Sequence, residues 1–177
     1  MIQGIFRRAS TFLLTGFFVL SSVNCKSQST APKAPDTGED NKISVSCSPS
    51  TGGTGTEITV TVSINKNQRE IKAFGLEITF DPAVFQYLST GKGSLTGSWA
   101  SVDGNVNDPG KLIVGGFGGS GTPLATGSSG SLLQVKFKVI YSGSNDNFTS
   151  QISIKNYQDH ISGMTPATAS VTFTYKK

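Results

Sequence analysis

The residue best placed for covalent chemistry is Cys25. It follows a leader whose only charges are Arg7 and Arg8, an apolar run over Phe12–Leu20, and a short small-polar stretch. This is the three-part pattern of a secretory signal peptide over residues 1–24, and its apolar run is too short to span a bilayer comfortably. A thiol delivered to the membrane surface at the cleavage point is a nucleophile for lipid attachment, and Cys25 is the one thiol there. Lipid chains anchor firmly, because each buried methylene contributes about 0.8 kcal/mol. The alternative is ordinary cleavage, which leaves Cys25 free or bridged to Cys47 in an oxidising compartment. After lipidation no disulfide within one chain remains, and Cys47 then reads as a small buried residue of the first strand.

Other chemistry finds little material. The single histidine, His160, stands beside Asp159 in a late loop, and a lone surface histidine without a positioned nucleophile is no catalytic set. No Gly-x-Ser-x-Gly elbow, no His-Glu-x-x-His helix and no Cys/His cluster occurs. The glycine-rich Gly115–Gly121 lacks the lysine and the helix of a phosphate loop and reads as a mobile loop. Asp103-Gly-Asn-Val-Asn-Asp108 offers oxygen atoms in a turn, but not at EF-hand spacing, and such turns serve backbone geometry. Neither a catalytic set nor a resident metal or cofactor is expected. Trp99, the only tryptophan, is the one candidate for stacking on a sugar ring; the competing reading buries it as a cap on the core.

Leu20-Ser-Ser-Val-Asn-Cys25 resembles a bacterial lipobox of the loose spirochaete kind. The resemblance implies export and a lipid anchor at Cys25, with the protein on the bacterial outer membrane and facing outward. Residues 25–41 then form a polar tether with almost no apolar content, which cannot offset its ordering entropy by burial. One domain follows, residues 42–177.

The elements that must position any site are strands. Charged residues make up 15% of the chain and glycine contributes 21 of its 177 residues, a composition poor in helix formers. The formal charge is +4; with Arg7 and Arg8 set aside, 13 basic residues face 11 acidic ones and +2 remains, too balanced for a nucleic-acid surface. Period-two alternation runs through Ile43–Cys47, Glu57–Ile64, Phe74–Phe80, Lys111–Phe117 and Leu133–Val139. Shorter strands are expected at Val84–Leu88, Ser98–Val106, Gln151–Asn156 and Ser170–Tyr175. Eight to ten short strands with frequent turn signals and no convincing helix predict an all-β sandwich. Alternation alone does not separate jelly-roll from immunoglobulin-like connections.

Phe74-Gly-Leu-Glu-Ile-Thr-Phe-Asp-Pro-Ala-Val-Phe-Gln-Tyr-Leu-Ser-Thr-Gly91 resembles the cohesin domains of bacterial cellulosomes: an alternating strand ending in aromatic-Asp-Pro, a short apolar segment, then a glycine turn. Gly110–Phe117 and Gly130–Val139 resemble the later pair of cohesin strands. The resemblance implies a nine-stranded jelly-roll β-sandwich, a type shared with carbohydrate-binding modules. It also implies non-catalytic adhesion to a dockerin-like protein, with any calcium carried by that partner. Cellulosomal cohesins place polar recognition residues where this chain has Ala73 and Gly75, and commonly an acid where it has Gly118 and Gly119. The recognition expected here is therefore of a different make.

A monomeric surface lipoprotein that binds a protein through one exposed sheet face is the leading expectation. Its contact residues are Glu77, Thr79, Lys136 and Lys138, the outward positions of their strands. A polysaccharide ligand held through Trp99, or a purely structural role in the envelope, are the alternatives.

Overall fold

The structure is a computed structural model and describes residues 40–177. Cys25 and nearly all of the tether lie outside the described residues. Asp40 and Asn41, read as the end of the tether, are held to the domain: Lys66 pairs with Asp40 at 3.0 Å, and Asn41 donates to the Gly163 carbonyl at 3.0 Å.

Among the described residues eleven strands form two sheets. They are β1 (Lys42–Ser48), β2 (Thr51–Gly52), β3 (Glu57–Asn65), β4 (Ala73–Thr79), β5 (Phe85–Lys92), β6 (Ser101–Asp108), β7 (Lys111–Phe117), β8 (Gly130–Val139), β9 (Thr149–Asp159), β10 (Thr165–Thr168) and β11 (Ser170–Tyr175). One sheet has the order β10-β1-β3-β8-β5, the other β2-β11-β9-β4-β7-β6. The sandwich expected from the sequence is present, but the count of nine is corrected to eleven. The additional β2 and β10 are short edge strands paired in parallel to β11 and β1. With two and four residues they are too short to carry an alternation signal.

Alternation becomes layering. Ile58, Val60, Val62 and Ile64 of β3 and Leu133, Val135, Phe137 and Val139 of β8 face inward from the five-stranded sheet. Phe74, Leu76 and Ile78 of β4, Leu112 and Val114 of β7, and Ile152 and Ile154 of β9 meet them from the other. Each such side chain, fully buried, contributes on the order of 1.5–3 kcal/mol. Phe137 lies at the centre, with the rings of Phe80, Phe85 and Tyr87 at 4.9, 6.1 and 6.2 Å.

Two local devices hold the sheets together. At the end of β4 the Asp81 carboxylate accepts from the Ala83 N–H (2.9 Å), while the Asp81 carbonyl accepts from Val84 and Phe85 (3.1 and 2.9 Å). This tight turn carries the chain across to β5, and it explains why Asp-Pro follows the aromatic residue. Along one side, edge strands β5 and β6 lie against each other. The Tyr87 hydroxyl donates to the Gly104 carbonyl (3.3 Å) and accepts from Thr90 (3.0 Å). A Cβ on Gly104 would stand 2.4 Å from Thr90 Oγ1, so a larger residue there would displace the Thr90 side chain from this contact. The two edges shield one another from strand addition.

Candidate functional site

The outer face of the six-stranded sheet is set by register. Across β4 and β7 the outward pairs are Ala73–Phe117, Gly75–Gly115, Glu77–Ile113 and Thr79–Lys111. On the flank, β6 places Ser101, Asp103 and Asn105 opposite Phe117, Gly115 and Ile113. On the other flank, β9 places Ser153, Lys155 and Gln158 beside Thr79, Glu77 and Gly75. Ile113 and Phe117 are 37% and 54% exposed, which makes Phe117 the most exposed large apolar side chain among the described residues. They stand on one strand about 13 Å apart, with Gly115 between them and Gly75 beside it. Two glycines side by side leave bare backbone as the floor between two apolar posts.

Glu77 points outward as alternation predicts, yet it is 4% exposed. Lys155 Nζ lies 3.2 Å from one carboxylate oxygen; Lys111 Nζ (3.5 Å) and Asn156 Nδ2 (2.8 Å) reach the other. A bulge in β9, where Gly75 and Glu77 oppose Gln158 and Lys155, brings Asn156 into the left-handed region at φ 53°. Asparagine tolerates that conformation, and it aims the amide at Glu77. Burial pushes the Glu77 carboxyl up, but the Asn156 and Lys155 hydrogen bonds and the two lysine charges outweigh it and hold it below its ordinary value. A carboxyl depressed by folding stabilises the folded state above its unfolded pKa, and that stabilisation is lost as pH falls through the folded value. Glu77→Gln is therefore expected to flatten the fall in melting temperature on acidification through the carboxylate range. A wild-type and a variant curve of equal slope would show that Glu77 contributes nothing to it.

The structure separates the four residues expected to share one partner. Glu77 and Thr79 lie on the six-stranded sheet, whereas Lys136 and Lys138 lie on the outer face of the five-stranded sheet, opposite Thr59 and Glu57. They stand back to back, so one flat partner does not touch all four, and Glu77 is covered by its lysines.

Trp99 is 2% exposed and packs on Phe74 with ring centroids 5.6 Å apart. It is not placed to stack on a sugar, and the reading of Trp99 as a carbohydrate contact is corrected. The segment before β6 turns inward at Trp99 instead of forming a strand from Ser98. Its Nε1 has no partner among the described residues and lies 3.0 Å from where a Cβ on Gly118 would stand. Asp103–Asp108, read as an oxygen-rich turn, is strand β6; Ser101 donates to Asp103, and Asn105 donates to Asn107 at 2.7 Å. The turn follows at Pro109–Gly110. His160 ties the end of β9 to β4, its Nδ1 donating to the Ala73 carbonyl at 3.2 Å. Among the described residues no three His, Cys, Asp or Glu side chains converge on a metal position. Cys47 is partly buried and packs against the core, and desolvation pushes its thiol up to about 11.

A flat sheet face with apolar posts, a cleared floor and polar flanks, on a sandwich, is the build of a non-catalytic binding module. The match to the cohesin domain extends over residues 43–175, and the chain belongs to that family of adhesion modules. No curated protein matches the chain. Among solved structures, it is similar to a non-cellulosomal cohesin from the hyperthermophilic archaeon Archaeoglobus fulgidus, with 22% identity over 77% of this chain and 92% of that one (TM-score 0.58). A type II cohesin domain from the cellulosome of Acetivibrio cellulolyticus shares 19% identity over 75% and 94% (TM-score 0.58). A type I cohesin–dockerin complex from Clostridium thermocellum matches at 18% over 76% and 99% (TM-score 0.60). At these identities the likeness is one of fold.

Proposed function

We infer that this chain is a surface-held docking module that binds a dockerin-like protein through the outer face of the six-stranded sheet. The observation that carries this reading is the exposure of Ile113 and Phe117 above the bare floor of Gly75 and Gly115. Exposed apolar side chains on a rigid, flat element bind a partner at little conformational cost. Several of the similar structures are complexes with dockerins. The placement at the surface rests on the leader, Cys25 and the polar tether: lipid at Cys25 holds the chain to the outer membrane, and residues 26–39 let the sandwich stand clear of it. The domain works as a monomer with a jelly-roll layout.

The test uses the full chain as bait for exported proteins of its own cells, with and without a calcium chelator, followed by identification and titration of what is captured. A protein with dockerin repeats that chelator releases is the expected catch. Polysaccharide alone, or nothing, would overturn the reading. Lys136→Glu with Lys138→Glu is expected to leave affinity within about twofold, because surface changes away from the interface are near neutral. A large loss there would move the docking face to the other sheet.

A further inference from the structure

A hollow of about 410 Å³ opens between β5 and the β6–β7 turn. Next to it, the Tyr87 hydroxyl donates to the Gly104 carbonyl and closes the seam between the two edge strands. Both sheets supply walls: Phe80 follows β4 and Val106 lies on β6, while Phe85 and Tyr87 lie on β5. The hollow sits at the end of the sandwich remote from Asn41. Phe85 pairs with Val139 at the Glu57 end of β3, whereas Lys42 pairs with Asn65 at the other end.

Its shape is fixed by backbone and by core packing. The Phe80 N–H donates to the Gly110 carbonyl (2.9 Å), and the Ile140 N–H donates to the Val84 carbonyl (2.8 Å). Gly110 takes φ 79°, and a Cβ there would stand 2.5 Å from the Phe80 carbonyl oxygen. The Phe80 and Phe85 rings rest on Phe137, and the Tyr87 ring is held through its hydroxyl by Thr90 and Gly104. Small-ligand sites are typically about 300–1,000 Å³, largely apolar and furnished with a few polar groups. No residue lining this hollow is charged. Val106 and Ile140 are 37% and 40% exposed, so an occupant has apolar surface left to cover. Gln86 is the one lining residue with a carboxamide, and its side chain makes no hydrogen bond among the described residues.

These features select the occupant. An ion would lose water here and find no counter-charge. A sugar ring carries a hydroxyl on most of its carbons, and this lining would leave most of them unpaired. Aromatic walls suit a ring, which they meet by edge and face. We propose that the hollow is a second binding site, separate from the docking face, for an uncharged compound with one apolar ring and a hydroxyl group. Phe80, Phe85 and Tyr87 enclose the ring, and the Gln86 amide bonds the hydroxyl. The proposal does not depend on the docking-face reading.

The test titrates the methyl-labelled full chain by NMR with phenol, cyclohexanol, benzene, benzoate, benzylamine and glucose. Phenol and cyclohexanol are expected to shift the Val106 and Ile140 methyl signals with dissociation constants on the order of 1–10 mM, suited to ligands of about seven non-hydrogen atoms. Benzoate, benzylamine and glucose should bind at least about tenfold more weakly. Gln86→Leu should weaken phenol about threefold and leave benzene unchanged, since only phenol loses a hydrogen bond. Ile140→Asp should weaken phenol and strengthen benzylamine. Ile113→Asp, on the docking face, should change none of these. No saturable shift by phenol or cyclohexanol, equal binding of benzoate or glucose, indifference to both Gln86→Leu and Ile140→Asp, or loss of phenol binding in Ile113→Asp would overturn the proposal.

Discussion

Ile113→Asp combined with Phe117→Asp is expected to weaken binding of the captured partner by about 10²–10³-fold, with the fold unchanged. Interface residues that act as hot spots each cost about 2 kcal/mol or more on truncation, roughly thirtyfold, and two on one strand are not fully additive. Aspartate adds the cost of burying an unpaired charge under the partner. Phe117 is 54% exposed in the free chain and Ile113 37%, so the pair removes part of the burial of Ile113 but touches none of the fully buried core. Calorimetric titration gives the affinity, and circular dichroism with a thermal melt checks the fold. A change below about threefold would mean that this face does not dock the partner.

Phe137→Ala is expected to destabilise the domain by about 3–5 kcal/mol, as phenylalanine-to-alanine changes in well-packed cores do. Phe137 is fully buried and lies within 4.9–6.2 Å of three other aromatic rings. It comes from β8, while Phe80 reaches it from the end of β4, so one ring ties both sheets. Small domains retain only about 5–15 kcal/mol of net stability, and such a loss is a large share of it. Denaturant unfolding measures the change. Partner affinity measured where the variant is still folded should match wild type, because Phe137 points into the core, away from the docking face. A cost near or below 1 kcal/mol would mean that the site collapses around the missing ring.

Much of this was legible in the sequence, because alternation of period two reports which side of a strand is wet. Ile58–Ile64, Phe74–Ile78 and Leu133–Val139 point inward as their pattern says. The same pattern is silent on which strands share a sheet. Lys136 and Glu77 are therefore alike in the pattern, both outward, although they stand on opposite faces. Outward is also not the same as exposed: Glu77 is roofed by lysines from β7 and β9, whose positions depend on register and on a bulge that leaves no mark in the pattern. The useful signal for the docking face was a breach of the rule that outward positions are polar. Ile113 and Phe117 break it on one strand. β10 leaves no mark in the sequence, because Thr165–Thr168 is exposed at every position and so shows no period at all.

The glycine loop over Trp99 gives the molecule a built-in optical probe. The chain has one tryptophan, so its emission comes from a single place. That indole packs on Phe74, which follows Ala73, the register neighbour of Phe117, and lies directly beneath Gly118, the residue that follows Phe117. A partner that presses on Phe117 changes the surroundings of the fluorophore without a label, and the shift or quenching of its emission can be followed in real time as the two proteins meet.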